Sequence, residues 1–188
     1  MTESGAELRG LVDAARTGDP DAWEVLYRRA YPRLFAYARR RVRSDAQAED
    51  AVSETMTRAI ARISTFVWSG SGVDGWLFGI ARNVVLESYR EDARAAPTDP
   101  LSVPEPVATG TSSGDPLDDL VTREEHALVL TAFGRLAESD RELLELRVVA
   151  GLDSRQVAEA TTRQPGAVRT AQSRALARLR MEFEGLMT

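Results

Sequence analysis

Residues 152–180, LDSRQVAEATTRQPGAVRTAQSRALARLR, read as two helices joined by a short turn. Asp153 is an N-cap by type, and Gln156 three residues on completes a capping box. Val157, Ala158 and Thr161 form a short inward face. Pro165 suits the first position of the second helix, where no backbone N–H is needed. Val168, Ala171 or Gln172, Ala175, Leu176 and Leu179 then recur at three- and four-residue steps, an apolar stripe. Arg169, Thr170, Ser173, Arg174 and Arg178 take the other face. Residues 155–180 hold six arginines against one acid, Glu159, a local +5 within a chain of net charge −5. That contrast points to phosphate contact on one face. The layout is that of a helix-turn-helix whose second helix enters a major groove. A plain helical hairpin with a solvated basic face has the same periodicity, and the turn Thr161-Thr162-Arg163-Gln164 lacks the glycine often found there.

Working back from this stretch, Ser139 with Glu142 predicts a capping box for a preceding helix that carries Leu143, Leu146 or Arg147, and Val149. Gly151 is its C-terminal cap. A further helix is expected over 124–136. Residues 91–122 change character: five of the chain's eight prolines lie there, around a TGTSSG run, with a net charge of −6. Such a segment buries too little apolar surface to fold alone and reads as a flexible linker. Placed beside a +5 segment, its acids are expected to compete with phosphate for the basic face.

Residues 1–90 read as helical. Asp19-Pro20 opens one helix with Trp23, Leu26, Tyr27 and Ala30 on a stripe, and Pro32 marks a junction or bend. Leu34, Phe35, Ala38 and Val42 continue it into the basic run 39–43, which is either solvated or set against nucleic acid. Ser44 with Gln47 forms a second capping box. Ala48, Ala51, Val52, Thr55, Ala59, Ile60 and Ile63 then share one face, and Gln47, Asp50, Glu54, Thr57 and Arg58 lie largely opposite. Residues 66–75, FVWSGSGVDG, read as a loop presenting Phe66, Val67 and Trp68. Its literal G-x-G-x-x-G follows a helix rather than a strand, which argues against a dinucleotide site. Residues 76–90 are expected to be helical, with Leu77, Ile80, Ala81 and Val84 inward and Arg82, Asn83 and Arg90 outside.

The chain has 188 residues and no cysteine. That excludes a disulfide, a zinc–thiolate site and a thiol switch within it. The lone His126 sits beside Glu124 and Glu125 and reads as a solvated surface residue. No run approaches the ~20 apolar residues of a membrane span. The N-terminus lacks the pattern of a signal peptide, so a cytoplasmic location is expected. All 24 basic residues are arginine, the side chain suited to bidentate phosphate and guanine contacts. No nucleophile–base pairing, metal-ligand spacing or phosphate loop stands in its required context. No enzymatic activity, cofactor, metal site or small-molecule substrate is therefore expected.

The order of motifs resembles the extracytoplasmic-function group of bacterial sigma factors in the sigma-70 superfamily. In the first half the matching residues are Gly18-Asp19, Ala22-Trp23, Leu26-Tyr27, Ala48-Glu49-Asp50-Ala51-Val52 with Glu54, and Trp76-Leu77 with Ile80-Ala81-Arg82-Asn83 and Arg90. In the second they are Leu136, Arg141-Glu142-Leu143-Leu144, Leu146-Arg147, Gly151-Leu152 and Gln156-Val157-Ala158. Pro165-Gly166-Ala167-Val168-Arg169, Arg174-Ala175 and Arg178-Leu179 complete the match.

The resemblance implies an all-α protein of two small helical domains. Residues 1–90 would bind core RNA polymerase and melt the −10 element, 91–122 would be a linker, and 123–188 would read the −35 element. It places Asp50, Ser53, Glu54 and Arg58 on the polymerase β′ clamp. Ser53 stands where the family usually has Gln. Phe66, Val67, Trp68 and Ser69, with Arg82, Asn83 and Arg90, would meet the −10 element and melted strand. Arg155, Gln164, Arg169, Thr170, Ser173, Arg174 and Arg178 would meet the −35 duplex. It also implies an anti-sigma partner, often membrane-anchored; without cysteine, any thiol-based redox sensing would have to lie in that partner. Two classes rival this reading. One is a helix-turn-helix regulator acting without core polymerase; the other is a helical adaptor binding only protein.

Length supports the division. A compact domain of this size has a radius of gyration near 16 Å and is about 40 Å across. Promoter elements two turns apart lie roughly 70 Å apart, so one globule could not read both. A linker spanning 91–122 reaches about 100 Å when extended.

Overall fold

The computed structural model describes residues 5–95 and 116–187, with backbone alone for 92–95 and 116–124. Eight helices follow in order: α1 Gly5–Arg16, α2 Pro20–Arg39, α3 Asp45–Arg62, α4 Gly72–Ala95, α5 Pro116–Gly134, α6 Glu138–Leu144, α7 Ser154–Thr161 and α8 Pro165–Leu186. A 3₁₀ turn, Ile63–Thr65, closes α3, and a π turn, Glu145–Val149, extends α6. No strand occurs among the described residues, and no described helix is long and apolar enough to cross a membrane.

The caps behave largely as their residue types dictate. The Asp19 carboxylate accepts from the N–H groups of Asp21 and Ala22 at 2.9 and 3.3 Å, with Pro20 in the first turn. Asp153 and Gln156 form the full reciprocal box. Ser44 Oγ accepts from Gln47 N at 3.2 Å, but the Gln47 side chain returns to Arg43 N–H rather than to Ser44.

Several expectations are corrected. Pro32 neither breaks nor ends α2. It lies on the exposed row with Arg28, whose unpaired carbonyl can turn to water, so the helix runs on. Ser139 does not cap α6; Ala137 occupies that position with no side-chain bond, and Glu142 reaches away to Arg82 instead. The 66–75 loop is shorter than read, because α4 already begins at Gly72 and continues to Ala95. Helix also occupies 116–122, so both ends of the expected linker are helical. Residues 96–115, the remainder of that linker, lie outside the described residues. Ile60 and Leu176 were assigned inward but are 53 % and 44 % exposed.

One apolar cluster unites the two halves. Leu34, Val52, Ile63, Leu77 and Phe78 from α2–α4 are continuous with Leu143, Leu146, Leu152, Val157 and Val168. A satellite cluster of Leu136, Leu144 and Ala175, backed by Phe133 and Leu179, holds α5, α6 and α8 together. The broadest contact between any two of the helices is α4 on α7. The chain is thus closed on itself rather than extended as two separate lobes.

Candidate nucleic-acid and polymerase-binding surfaces

The second half presents α8 outward. Val168 and Ala175 are fully buried, with Ala171, Gln172 and Leu179 beside them. At 100° per residue this fixes one face, and Arg169, Thr170, Ser173 and Arg174 emerge on the other, all exposed. Arg163, Arg169 and Arg174 make no ion pair among the described residues. Gln164 is the exposed N-cap residue of α8 with no side-chain cap bond. Arg155 is exposed on α7 with its side chain beside Gly70.

Arg178 departs from this set. Its Nε and Nη2 donate to Asp140 at 2.6 and 2.8 Å, a fork that ties α8 to the start of α6. Arg147 does similar work, donating from Nε to Gln172 Oε1 at 2.8 Å and from Nη1 to the Leu152 carbonyl. The turn into α8 is made by Thr162 at φ 56°, a left-handed backbone taken by a β-branched residue where glycine is the usual occupant.

In the first half the loop after α3 does not present Phe66. That ring is 4 % exposed, packed edge-on to Trp68 at 5.2 Å and tilted on Trp76 at 5.1 Å. Arg16 covers it and donates to the Phe66 carbonyl. Burying so large a ring outweighs its display on a polar loop. Val67, 78 % exposed, is the true tip; Trp68 is half-buried under Arg9, and Ser69 is exposed.

Asp50, Ser53 and Glu54 are exposed along α3. Arg58 donates to Glu54 at 2.7 Å and pairs with Glu87 of α4 at 2.7 Å. Hydrogen bonds to Glu87 and then Glu54 raise the Arg58 pKa, and Arg58 in turn lowers that of Glu87. Arg58 thereby braces α3 on α4.

The seam between the halves pairs Arg82, expected at the melted strand, and Arg41, from the basic run 39–43, with acids that sequence reasoning did not set against them. Arg41 donates to Glu145 and Glu138, each at 2.7 Å. Arg82 donates to both oxygens of Glu142, at 2.8 and 3.3 Å. Arg33 spans Asp74 at 3.0 Å and the Ala150 carbonyl at 2.7 Å. Burial pushes the Glu145 carboxyl up to about 7 even beside Arg41. Arg41 is pushed up as well, because Glu145, Tyr37, Glu138 and Glu142 together outweigh its own burial. Burial and Arg41 thus pull the Glu145 carboxyl in opposite directions, and burial prevails. A signal was available: Glu142 and Glu145 sit one turn apart among Leu143, Leu144 and Leu146, an acid pair on a buried stripe. Asn83 and Arg90 are exposed on α4. No group of three or more metal-ligating side chains occurs among the described residues.

Comparison with known proteins bears on both halves. Residues 26–95 match the family model for sigma-70 region 2, and residues 126–179 match that for sigma-70 region 4. The chain is 32 % identical over 189 aligned positions to the ECF RNA polymerase sigma factor SigD of Mycobacterium tuberculosis, covering 97 % of this chain and 87 % of that protein. It is 31 % identical over 171 positions to the ECF RNA polymerase sigma factor BldN of Streptomyces coelicolor. That match takes in 91 % of this chain but only 64 % of the length of BldN. Among solved structures, CnrH in complex with the cytosolic domain of CnrY superposes with a TM-score of 0.67 at 22 % identity, covering 94 % of this chain and 97 % of that one. RpoE with the anti-sigma factor NepR from Bartonella quintana gives 0.58 at 22 % identity, covering 95 % of each. At that identity the two structures speak for the fold.

Proposed function

The chain belongs to the extracytoplasmic-function group of sigma-70 RNA polymerase sigma factors, and from that premise we propose how its surfaces divide the work. Asp50, Ser53 and Glu54 on α3 form the core-polymerase surface, with Arg58 holding that helix in place. Val67, Trp68 and Ser69 meet a −10 base on the non-template strand, with Phe66 as their buried support. Arg82, Asn83 and Arg90 follow the melted strand. Gln164, Arg169, Thr170, Ser173 and Arg174, flanked by Arg155, read the −35 duplex. Arg178 positions α8 rather than touching DNA. The working units are 1–90 and 123–188, joined through 91–122.

The observation that carries this reading is the outward face of α8: Arg169 and Arg174, exposed and without an ion pair among the described residues, on a helix whose other side is fixed by Val168 and Ala175. A stable protein has no need of such a face; a major groove does. An anti-sigma partner that covers the α3 surface fits the same reading, since the sigma factor RpoE, of similar fold, was solved with the anti-sigma factor NepR. The test is run-off transcription from genomic fragments with core polymerase. Promoter-dependent transcripts that vanish with Arg169→Ala plus Arg174→Ala are expected. Absence of co-elution with core polymerase would overturn the reading.

A further inference from the structure

We propose that Arg9 of α1 is a phosphate contact for the melted strand, seated on Trp68 so that backbone binding and base capture meet at one loop. No residue of α1 enters the surfaces assigned above. The inference rests on the proposed function and adds to it the guanidinium that neutralises the strand beside the −10 base.

The loop has no cation of its own. Residues 66–75 hold one charged side chain, Asp74, which is buried and held by Arg29 and Arg33. A single strand carries a phosphate at every nucleotide. A base taken by Val67, Trp68 and Ser69 therefore brings negative charge to an uncharged rim. Sites that hold single strands combine a stacking ring with a basic side chain that tracks the backbone.

A second arginine fixes α1 to this loop. Val12 and Ala15 are buried, and Trp23 Nε1 donates to the Ala15 carbonyl at 3.1 Å, which sets α1 against α2. Arg16 then reaches across to the loop. Its Nε donates to the Ile63 carbonyl at 3.3 Å, its Nη2 donates to the Phe66 carbonyl, and its guanidinium lies 5.7 Å from the centre of the Phe66 ring. Arg9 stands seven residues earlier, within about 20° of Arg16 around a helix that turns 100° per residue. The same face thus carries it to the next ring of the loop, with its guanidinium carbon 5.2 Å from the centre of Trp68.

That contact leaves the charge available. Arg9 is exposed and makes no ion pair among the described residues; Asp13, one turn on, pairs with Arg16 at 3.7 Å instead. A guanidinium that meets a ring through its face keeps its in-plane N–H donors for a bidentate phosphate contact. Trp68 is itself held edge-on to Phe66 at 5.2 Å, so the support is fixed. The other guanidinium beside the loop, Arg155 near Gly70, belongs to the second half and to the −35 set.

Binding is read by fluorescence anisotropy of a labelled mixed-sequence single strand of about 15 nucleotides. The full chain is used alone and assembled with core polymerase, across a salt series. Arg9→Gln is expected to bind several-fold more weakly at low salt and to lose about 0.7 from the log–log salt slope, the share of one single-strand phosphate. Arg9→Lys should keep the slope. Trp68→Leu, which removes the seat, should lower the slope as Arg9→Gln does, and the double variant should lower it no further. A natural slope in Arg9→Gln, a slope lost equally in Arg9→Lys, a further fall in the double variant, or a natural chain that binds no strand in either form overturns the proposal. The sigma-factor reading is scored separately, by run-off transcription with the natural chain. Promoter-dependent transcripts with an unchanged Arg9→Gln slope sink this inference alone. A lost slope without any transcripts sinks the functional reading alone.

Discussion

Arg41, in the turn after α2, donates from Nε to Glu145 Oε2 at 2.7 Å, across 104 residues of sequence, with both side chains under 10 % exposed. The pair joins the two halves, and Glu145 is the member that titrates near neutrality. Its carboxyl, pushed up to about 7 chiefly by burial, binds a proton in the closed form that it loses at ordinary carboxylate pH once solvated. The closed form therefore takes up protons as pH falls through 7, and acid favours closure.

The first prediction follows from that sign. The contribution of Glu145 to the stability of the closed form is expected to be fully present below the ordinary carboxylate value, to decline as pH rises from about 4.5 to 7, and to level off above. The groups facing Glu145 are Arg40 and Arg41 from the turn after α2, Tyr37 from α2, and Glu138 from α6. Of these Glu138 is shifted the opposite way, downward, and counters the trend only below the normal carboxylate range. Distance-dependent fluorescence transfer between α4 and α7 reads the equilibrium. Glu145→Gln should flatten the curve between about pH 4.5 and 7; an unchanged slope would reject the assignment.

Thr162 carries backbone strain at the helix-turn-helix corner. A left-handed conformation costs an ordinary residue roughly 1–2 kcal/mol. Thr162→Asn or Thr162→Gly is expected to stabilise the chain by about 0.5–1 kcal/mol in urea unfolding, part of the gain being offset by unfolded-state entropy in the glycine variant. A loss of stability in both would show that the threonine side chain contributes more than the strain costs.

The arginines of α8 should separate by role. Arg169→Ala or Arg174→Ala is expected to weaken promoter binding by about 1–3 kcal/mol and to relax one base position if the residue reads a base, with stability unchanged. Arg178→Ala should do the reverse: a lower melting temperature, because Asp140 is left buried without its partner, and unaltered base preference in whatever folds. A changed preference at Arg178 would return it to the DNA face.

On α3, Asp50→Arg with Glu54→Arg is expected to reduce core-polymerase binding in a pull-down while circular dichroism stays helical. The two positions are one turn apart and exposed. Because Arg58 keeps Glu87 as a partner, losing Glu54 does not free the brace between α3 and α4. Unchanged affinity would move the polymerase surface elsewhere.

Local patterns were enough for the helices, most caps and the family, because these depend on neighbours in the chain. Asp153 with Gln156 and Pro165 at the start of α8 act within a few residues, and the α8 face follows from a 3.6-residue period. The pattern failed where a distant partner outbid the local one. Glu142 left its expected cap for Arg82 and Phe66 chose burial against Trp76 over display, while Arg178, exposed on the polar face, gained a partner in Asp140 that no local pattern announces. Leu176 and Ile60 kept the right period, but no element among the described residues covers them. Tertiary structure alone decided that α7 lies on α4 and that Arg41 meets Glu145. Residues 41 and 145 share no periodicity. Only the packing of one half on the other brings those charges together, and burial of the pair then sets the Glu145 titration that local sequence could not foretell.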